Sequence, residues 1–374
     1  MAQTNMKKIL FLIHDLGHGG AEKVLVNLVN NMDPGKFDIS VVALFGGGVN
    51  EQFLKPHIKF RAVFPKMIPG NSHLMKLFSP ERLHKWFIKE RYDIEVAYLE
   101  GPDARIISGC PDPDTKLVSW IHCTMKTSED AALGFSSIEE SRICYGKMDT
   151  MVFVSETVRD AFLKACPYSG KTAVLYNTNE SDKILSLAAE KAELPGEGFR
   201  WCGVGKLVPV KGFDRMIRIQ KRLAEDGYKA HLCILGEGPQ KTELEKLAAA
   251  CGVSDRVTFL GYQTNPYQYV AKCGLFVCAS HSEGFSTAAT EALIVGTPVC
   301  TVEVSGMKEM LGEHNEWGIV TENHEEALYQ GIKRLLDDPS LLAHYREKAT
   351  QRGKLFSTEN TVNVVEMTLL GLLR

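Results

Sequence analysis

The sequence predicts an α/β protein of two domains, each built around a parallel β-sheet. Short apolar runs, typical of buried strands, alternate with amphipathic helical patterns along both halves of the chain. Such alternation is typical of βαβ units, whose helices cover a parallel sheet. The chain has 374 residues, which is long for one hydrophobic core and sufficient for two domains of ordinary size.

The predicted strands divide into two sets. The amino-terminal set lies at residues 8–13, 39–44, 94–99, 116–120 and 150–154, and the carboxy-terminal set at residues 200–205, 231–235, 257–260, 275–279 and 298–302. The polar stretch between the sets, residues 190–198, is rich in Glu, Pro and Gly and is the predicted linker. We therefore place the domains at residues 1–190 and 198–356.

The net charge, the cysteine spacing and the length of the apolar runs argue against several classes of protein for this sequence. The net charge of −3 gives no general attraction to nucleic acid, so no nucleic-acid partner is expected. The ten cysteines contain no Cys-x-x-Cys pair, which favours buried thiols in a reducing cytoplasm over disulfides or zinc sites. The apolar run at residues 9–13 is too short for a membrane span or a signal sequence. We expect a cytoplasmic protein.

The segment at residues 280–299 has two glutamates, Glu283 and Glu291, on either side of a predicted helix start. Ser286 is the expected N-cap residue. Free backbone N–H groups and the helix dipole at such a start favour an anion, and a diphosphate fits best. The flanking glutamates then suit the hydroxyl groups of a ribose and a hexose, which indicates a nucleotide-sugar site; a capped surface helix with two solvated acids is the alternative. The residues placed at the helix start are Phe285, Ser286, Thr287 and Ala288.

A second segment, at residues 203–214, favours the same function. It has the pattern of a strand, a loop and a helix, and its loop contains Gly205, Lys206 and Lys211. Two lysines on such a loop can bind both phosphates of a leaving nucleoside diphosphate. Exposed lysines that only increase solubility are the alternative.

In the amino-terminal half, polar residues follow three predicted strands, and doubly wound sheets bind ligands at the carboxyl ends of their strands. Asp15, Gly19 and Gly20 lie in the loop after the first strand, where glycines let a ligand approach the backbone. Glu100 and His122 each follow a later strand. A turn before a helix and a structural histidine are the alternatives for these two. No Gly-x-Gly-x-x-Gly run is present, so a dinucleotide site is not expected.

Residues 55–91 are locally basic, with nine Lys or Arg against two Glu, a balance of +7. A helix start is predicted at Ser79, followed by an apolar stripe of Leu83, Trp86 and Phe87. One interpretation is an interfacial helix that meets anionic lipid or a polyprenyl-diphosphate acceptor. The other is a stripe that packs on the core and leaves a solvated basic side.

Short motifs follow one another along nearly the whole chain. They are Gly19-Gly20-Ala21-Glu22, Trp120-Ile121-His122, Val154-Ser155-Glu156, Gly205-Lys206-Leu207 with Lys211-Gly212, Leu235-Gly236-Glu237-Gly238-Pro239, Phe259-Leu260-Gly261, and Glu283 with Glu291. In this order and spacing they resemble the family 4 glycosyltransferases, retaining enzymes of the GT-B fold. One departure is Lys206, where the family more often has arginine.

The resemblance implies two Rossmann-like domains whose parallel sheets face each other across a cleft. The amino-terminal domain would be the acceptor side, completed by a carboxy-terminal helix at residues 357–374, and the carboxy-terminal domain the donor side. The implied activity is transfer of a hexose or N-acetylhexosamine from a nucleoside-diphosphate sugar, with UDP the expected carrier, to a glycan acceptor, expected to be lipid-linked. Polysaccharide synthesis at the inner face of the cell membrane, with peripheral contact through residues 55–91, is the expected setting.

The resemblance also implies roles for single residues. Lys206 and Lys211 would stabilise the departing diphosphate in place of a divalent cation, so neither a metal nor a cofactor is expected. Glu283 would hold hydroxyl groups of the donor sugar and Glu291 those of the ribose, with His122 beside the donor sugar. The other expected donor contacts are Gly19, Gly20, Gly205 and the backbone at Tyr262, and the expected acceptor contacts are Asp15 and Glu100.

Two other functions remain open for the same fold. A sugar-nucleotide epimerase would use the same donor pocket without an acceptor. A non-catalytic subunit would stabilise a partner transferase, although such a protein has no need of the lysines and glutamates that this chain contains. Detection of a new glycosidic product separates a transferase from both.

Overall fold

The computed structural model of the protein describes residues 6–17 and 19–374, apart from the side chain of Ser72. The chain forms two compact units, one of Met1–Asn179 with Thr358–Arg374 and one of Glu180–Ser357. Both units are α/β with parallel sheets, which confirms the predicted fold class. In the described part of the chain, no helix has the length and apolarity that a membrane crossing requires.

The sheet of the first unit is parallel. Its described strands are β1 (Lys7–Ile13), β2 (Phe37–Phe45), β3 (Lys59–Phe64), β4 (Ile94–Ala97), β5 (Lys116–Ile121), β6 (Thr150–Phe153) and β7 (Lys171–Val174). They lie in the order β3-β2-β1-β4-β5-β6-β7, so the direction of winding reverses between β1 and β4. In doubly wound sheets this reversal opens a crevice at the carboxyl ends of the strands, where ligands bind.

Helices connect these strands. They are α1 (Gly20–Asn31), α2 (Asn71–Met75), α3 (Pro80–Phe87), α4 (Pro102–Ile107), α5 (Ser128–Ala131), α6 (Ile138–Gly146) and α7 (Glu156–Ala165). The start of α3 agrees with the prediction, since the Ser79 hydroxyl accepts a hydrogen bond from the Arg82 amide at 3.4 Å. The interior of α1 packs on the sheet, and its residues 24–30 are buried.

The second unit has its own parallel sheet. Its described strands are β8 (Phe199–Val204), β9 (Ala230–Leu235), β10 (Val257–Gly261), β11 (Leu275–Cys278), β12 (Val299–Val302) and β13 (Ile319–Thr321). They lie in the order β10-β9-β8-β11-β12-β13, with the reversal between β8 and β11. The helices are α8 (Ser181–Ala188), α9 (Phe213–Glu225), α10 (Lys241–Ala250), α11 (Tyr267–Val270), α12 (Thr287–Ile294), α13 (Met307–Leu311), α14 (Glu325–Asp337) and α15 (Pro339–Gly353).

The strands that sequence patterns missed are β3, β7 and β13, and each lies at the edge of its sheet. An edge strand has a neighbour on one side only, so it need not be continuously apolar. The residues of β3 and β7 are accordingly exposed or half-buried. The inner strands β1, β4, β9 and β11 are almost fully buried and follow the predicted runs.

The boundary between the units differs from the predicted linker at residues 190–198. Helix α8 packs against α11 and α12, so it belongs to the second unit and the first unit ends at Asn179. The Asn265 side-chain amide donates to the Leu187 carbonyl at 2.9 Å and to the Glu190 carboxylate at 3.0 Å. The Glu/Pro/Gly-rich stretch is therefore a loop within the second unit that leads into β8.

The last helix, α16 (Thr358–Gly371), belongs to the first unit, where it contacts α1. The Thr358 hydroxyl donates to the Asn179 carbonyl at 2.8 Å. The Glu366 carboxylate is buried and accepts hydrogen bonds from the Asp33 amide at 2.7 Å and the Lys36 ammonium at 2.8 Å. These contacts attach α16 to the end of α1.

We expect Glu366→Ala to lower the free energy of local unfolding of α16 by about 1–3 kcal/mol, because the Asp33 amide loses its acceptor. Hydrogen exchange of peptides from α16 measures this effect. Lys36→Ala is the matched control, and a smaller effect is expected because the Lys36 side chain is half-exposed and the Asp33 amide keeps its acceptor. Equal rates of hydrogen exchange in α16 of the two variants would contradict the stabilising role assigned to the hydrogen bond between Asp33 and Glu366.

Candidate functional site

In the second unit, three strand ends meet at one edge of the sheet. Strand β8 pairs in parallel with both β9 and β11, so the loops that follow them begin side by side. The His281 amide donates to the Val210 carbonyl at 2.7 Å, which joins the loop after β11 to the loop after β8. The Leu207 amide donates to the Glu237 carbonyl at 2.9 Å, which joins the loop after β8 to the loop after β9.

Glycine is required at Gly212, the last residue of the loop after β8. Its φ is +66°, and a Cβ atom there would lie 2.1 Å from the Ala279 carbonyl oxygen. Both the backbone conformation and the contact therefore exclude other residues. This close approach brings Lys211 beside the residues that follow β11.

Lys211 and Glu283 form an ion pair, with the lysine Nζ 2.7 Å from the carboxylate Oε1. The Ser280 hydroxyl donates to the same oxygen at 2.6 Å. The Glu283 side chain is only 9% exposed, so these charge-assisted hydrogen bonds hold a nearly buried carboxylate in one position. Lys206, on the same loop, is exposed. The structure thus brings together two of the predicted site residues and adds Ser280, which sequence reasoning missed although it lies only two residues after the end of β11.

Helix α12 begins where predicted. The Ser286 hydroxyl accepts a hydrogen bond from the Ala289 amide at 3.3 Å and so forms the predicted N-cap. Thr287 and Ala288 are half-buried at the first turn. Phe285 is buried, with its ring 5.9 Å from that of Phe356, so it anchors the helix start in the core.

Glu291 lies inside α12 and is buried. The Tyr267 hydroxyl, from α11, donates to its carboxylate at 3.1 Å. Sequence reasoning missed Tyr267, because a lone tyrosine at the start of a short helix has no distinguishing pattern. Tyr262, after β10, is 69% exposed, and Gly205 is half-buried at the end of β8.

In the first unit, Asp15 organises the loop after β1. Its carboxylate accepts from the Gly17 amide at 2.7 Å and lies 2.7 Å from the His14 ring nitrogen Nδ1. A Cβ atom at Gly19 would lie 1.9 Å from a carboxylate oxygen of Glu22, whereas one at Gly20 would meet nothing within 4 Å. The carboxylate end of Glu22 can move aside, so the structure gives no steric requirement for glycine at position 19 or at position 20.

Glu100 and His122 meet at the ends of β4 and β5. The Glu100 carboxylate accepts from the His122 amide at 3.1 Å and from the Cys123 thiol. The His122 ring lies 4.7 Å from that of Tyr98. Burial lowers the pKa of His122 to about 3, despite a hydrogen bond to the backbone of Tyr98. The imidazole is therefore neutral at physiological pH.

Several buried polar atoms lie on His122, on the Tyr98 and Trp120 rings that pack near it, and on Asp103 in α4. Among the described residues, these atoms have no side-chain or backbone partner within ordinary hydrogen-bond geometry: His122 Nε2, Tyr98 Oη, Trp120 Nε1 and both carboxylate oxygens of Asp103. Burial and the nearby Glu100 charge raise the pKa of Asp103 well above its usual range. Unpaired buried polar atoms are costly and concentrate at functional positions.

The basic segment, residues 55–91, has two kinds of surface. Lys59 pairs with Asp38, and Arg91 with Asp112 and Asp114, so part of the positive charge is neutralised. Leu83 and Phe87 are buried, as the core-packing interpretation predicted, but Trp86 is 43% exposed and contacts Phe78 at 4.8 Å. Several apolar side chains near it are also exposed: Met67, Ile68, Leu74 and Leu77.

Asp112 and Asp114 form an Asp-x-Asp tripeptide, a pattern that can hold a divalent cation. Here the tripeptide precedes β5, at the opposite end of that strand from His122. Its carboxylates pair with Arg91, with 3.0 Å between the guanidinium and Asp114. The tripeptide therefore lies away from the edge of the sheet where the candidate site residues meet.

We expect the His122 imidazole to stay neutral between about pH 8 and about pH 5, whereas a solvated imidazole titrates near 6.5. Because folding lowers this pKa, the stabilisation it gives is present above about 6.5 and is lost as the pH falls toward 3. NMR of protein with labelled histidine measures the titration, and His122→Asn assigns the resonance. A midpoint near 6.5 for this ring would contradict the burial.

Comparison with known proteins gives matches across both units. Residues 188–352 match the family model "Glycosyl transferases group 1", and residues 18–179 match the model "Glycosyltransferase Family 4". A Campylobacter jejuni N-acetylgalactosamine-N,N'-diacetylbacillosaminyl-diphospho-undecaprenol 4-alpha-N-acetylgalactosaminyltransferase is 29% identical over 374 residues, covering 98% of this chain and 100% of that protein. The lipopolysaccharide core biosynthesis glycosyltransferase LpsD of Rhizobium meliloti is 26% identical, covering 91% and 90%.

Solved structures share the fold. Anabaena HepE in complex with UDP has a TM-score of 0.74 at 20% identity, covering 97% of this chain and 100% of that one. Sucrose-phosphate synthase from Thermosynechococcus elongatus has a TM-score of 0.78 at 18% identity, covering 98% and 99%. This likeness to solved structures shows the fold alone. The two family models, one matching each unit, show that the chain belongs to the family 4 glycosyltransferases.

Proposed function

We propose that the protein transfers a hexose or N-acetylhexosamine from a nucleoside-diphosphate sugar to a lipid-linked glycan, with retention of configuration and with UDP as the carrier. The observation that carries the proposal is the Lys211–Glu283 ion pair, supported by Ser280, beside the N-cap of α12. A cation, a helix start and a fixed carboxylate side by side suit a diphosphate joined to a hydroxyl-rich sugar.

In this proposal the second unit is the donor side. Lys206 and Lys211, with the amides of Thr287 and Ala288, stabilise the negative charge that develops on the leaving diphosphate. Two ammonium groups and a helix dipole supply the positive field that a divalent cation supplies elsewhere, so the reaction needs neither metal nor cofactor. Glu283, held by its two hydrogen bonds, accepts hydrogen bonds from donor-sugar hydroxyls.

Other residues of the second unit hold the nucleoside. Glu291 accepts from the ribose hydroxyls, and the Tyr267 hydroxyl fixes the orientation of its carboxylate. The exposed backbone around Tyr262 contacts the base. Buried Phe285 acts through packing that keeps the helix start in place.

The first unit is the acceptor side. The neutral His122 imidazole donates or accepts a hydrogen bond at a sugar hydroxyl near the anomeric carbon, and Asp15 and Glu100 contact the acceptor. With no carboxylate assigned as a nucleophile, the acceptor attacks the face that the diphosphate leaves, and a phosphate oxygen takes the acceptor proton. The Campylobacter jejuni relative, whose name specifies a diphospho-undecaprenol-linked glycan, supports a lipid-linked acceptor.

We also propose that the basic segment, residues 55–91, binds the surface of a membrane rich in anionic lipid, at its cytoplasmic face. Arg82, Lys85 and Lys89 are exposed on and after α3, close in sequence to the exposed Trp86. Leu77, at 76% exposure, adds an apolar side chain to the same region. Basic and apolar side chains together are the combination that interfacial binding uses.

We expect Lys211→Ala and Glu283→Gln each to reduce turnover by about a hundredfold or more, because each removes a group that acts on the developing charge or the donor sugar. The assay measures nucleoside-diphosphate release and glycosidic product from UDP-, GDP- and ADP-sugars in the presence of a chelator. Lys221→Ala, which removes an exposed lysine on α9, is the matched control.

Unchanged turnover in both site variants would refute the assignment of the site, and a loss of all activity in chelator would refute metal independence. Donor consumption without a glycosidic product would instead indicate an epimerase or hydrolase. Thermal stabilisation of the wild type by UDP, reduced in both variants, reports donor binding when no acceptor is available.

For the membrane proposal, we expect the triple variant Arg82→Ser, Lys85→Ser and Lys89→Ser to bind anionic vesicles about a hundredfold more weakly, at about 1 kcal/mol for each charge. Cosedimentation with vesicles at low and high salt measures binding, and salt should reduce it. A variant with Lys221, Lys229 and Lys246 changed to Ser removes equal charge from the second unit. An equal loss of vesicle binding in both variants would indicate only a general effect of charge. It would contradict specific binding through residues 55–91.

A further inference from the structure

A buried cluster in the first unit has no place in sugar transfer. His84 on α3, Glu95 on β4 and Cys110 after α4 bring one ligand-type atom each to within 4.8 Å of the others. The His84 ring nitrogen Nε2 lies 2.8 Å from the Glu95 carboxylate. His84 is 6% and Glu95 1% exposed, and Cys110 is half-buried.

Backbone packing assembles the cluster from three elements. A Cβ atom at Gly109 would lie 2.2 Å from the Pro80 carbonyl oxygen, so the segment after α4 lies directly against the first residue of α3. This contact brings Cys110 toward His84, one turn further along α3. Glu95 reaches the same point from a strand near the centre of the sheet, between β1 and β5.

We propose that His84, Glu95 and Cys110 bind a divalent transition-metal ion of the zinc class. Imidazole nitrogen, carboxylate oxygen and thiolate sulfur are the ligands that zinc takes in proteins. As the ion binds, the imidazolium of His84 and the thiol of Cys110 each lose one proton to water, and bonds form from the metal to the neutral imidazole nitrogen, the carboxylate oxygen and the thiolate sulfur. A carboxylate and a thiolate neutralise the two positive charges, so the buried site carries no net charge.

The spacing suits such an ion. Tetrahedral zinc bonds of about 2.0–2.3 Å place ligand atoms about 3.3–3.8 Å apart. The His84–Glu95 pair, at 2.8 Å, would open by about 0.5 Å to take an ion, and the Cys110 sulfur lies within 4.8 Å of both ligand atoms. The half-buried side of Cys110 gives an ion a route of entry and leaves a fourth position for water.

The ion would act as a structural clamp. It would tie α3 to β4 and to the end of α4, while the opposite face of α3 presents Arg82, Lys85 and Trp86 to solvent. Lys206 and Lys211 belong to the second unit, and none of the three cluster residues has an assigned role at the donor or the acceptor. The alternative is a metal-free ion pair, in which hydrogen bonds to Cys110 and Glu95 outweigh the burial of His84 and raise its pKa to about 9.

Titration of the chelator-treated full-length protein with Co²⁺ tests the proposal, because a thiolate ligand gives a sulfur-to-cobalt charge-transfer band. We expect one equivalent to produce the band and Zn²⁺ to displace it. His84→Gln, Glu95→Gln and Cys110→Ser should each weaken binding by more than the roughly 10–100-fold typical of losing a supporting hydrogen bond. Cys251→Ser, at a half-buried cysteine of the second unit, should leave it unchanged.

A second measurement needs no variant and so does not depend on the folding of altered proteins. Zn²⁺ should slow alkylation of Cys110 in the wild type and leave that of Cys251 unchanged, as measured by peptide mass spectrometry. Absence of a thiolate-to-cobalt band, equal protection of both cysteines, or a band that survives Cys110→Ser would overturn the proposal and leave the metal-free ion pair.

Discussion

The candidate donor site depends on one backbone contact in the second unit, where the loop after β8 lies against the residue that follows β11. Only glycine fits at position 212, because the Ala279 carbonyl occupies the space of a side chain and φ is positive. The hydrogen bond from the His281 amide to the Val210 carbonyl joins the same two segments. As a result, Lys211 meets Glu283 although 72 residues separate them in sequence.

Parallel pairing explains why so many candidate residues meet. All strands of a parallel sheet end at the same edge, so residues that follow different strands become neighbours. In the second unit this places Ser280 and Glu283 beside Lys211. In the first unit it places Glu100 beside the backbone of His122.

The two groups of residues differ in charge. In the second unit, Lys211 and Glu283 are held as an ion pair that is partly open to solvent, which suits a charged ligand such as a diphosphate. In the first unit, burial keeps the His122 ring neutral and favours the protonated form of Asp103. Neutral hydrogen-bonding groups suit hydroxyls rather than phosphates.

Helix α3 has one face in the core and the other in solvent. Leu83, His84 and Phe87 face the core, where His84 pairs with Glu95. Arg82, Lys85 and Trp86 face solvent. The sequence pattern recognised the helix and its charge, but it assigned Trp86 to the same apolar stripe as Leu83 and Phe87. Trp86 is instead 43% exposed, with its ring 4.8 Å from that of Phe78 in the preceding segment.

Features whose energies are local can be predicted from the sequence alone. Buried central strands require continuous apolar runs, and the start of α12 requires an N-cap residue, so both were predicted at nearly their observed positions. The edge strands, the boundary at Asn179 and the partners Ser280 and Tyr267 became visible only in the folded chain. These features depend on which distant segments bury each other and on how strands pair, and no short stretch of sequence contains that information.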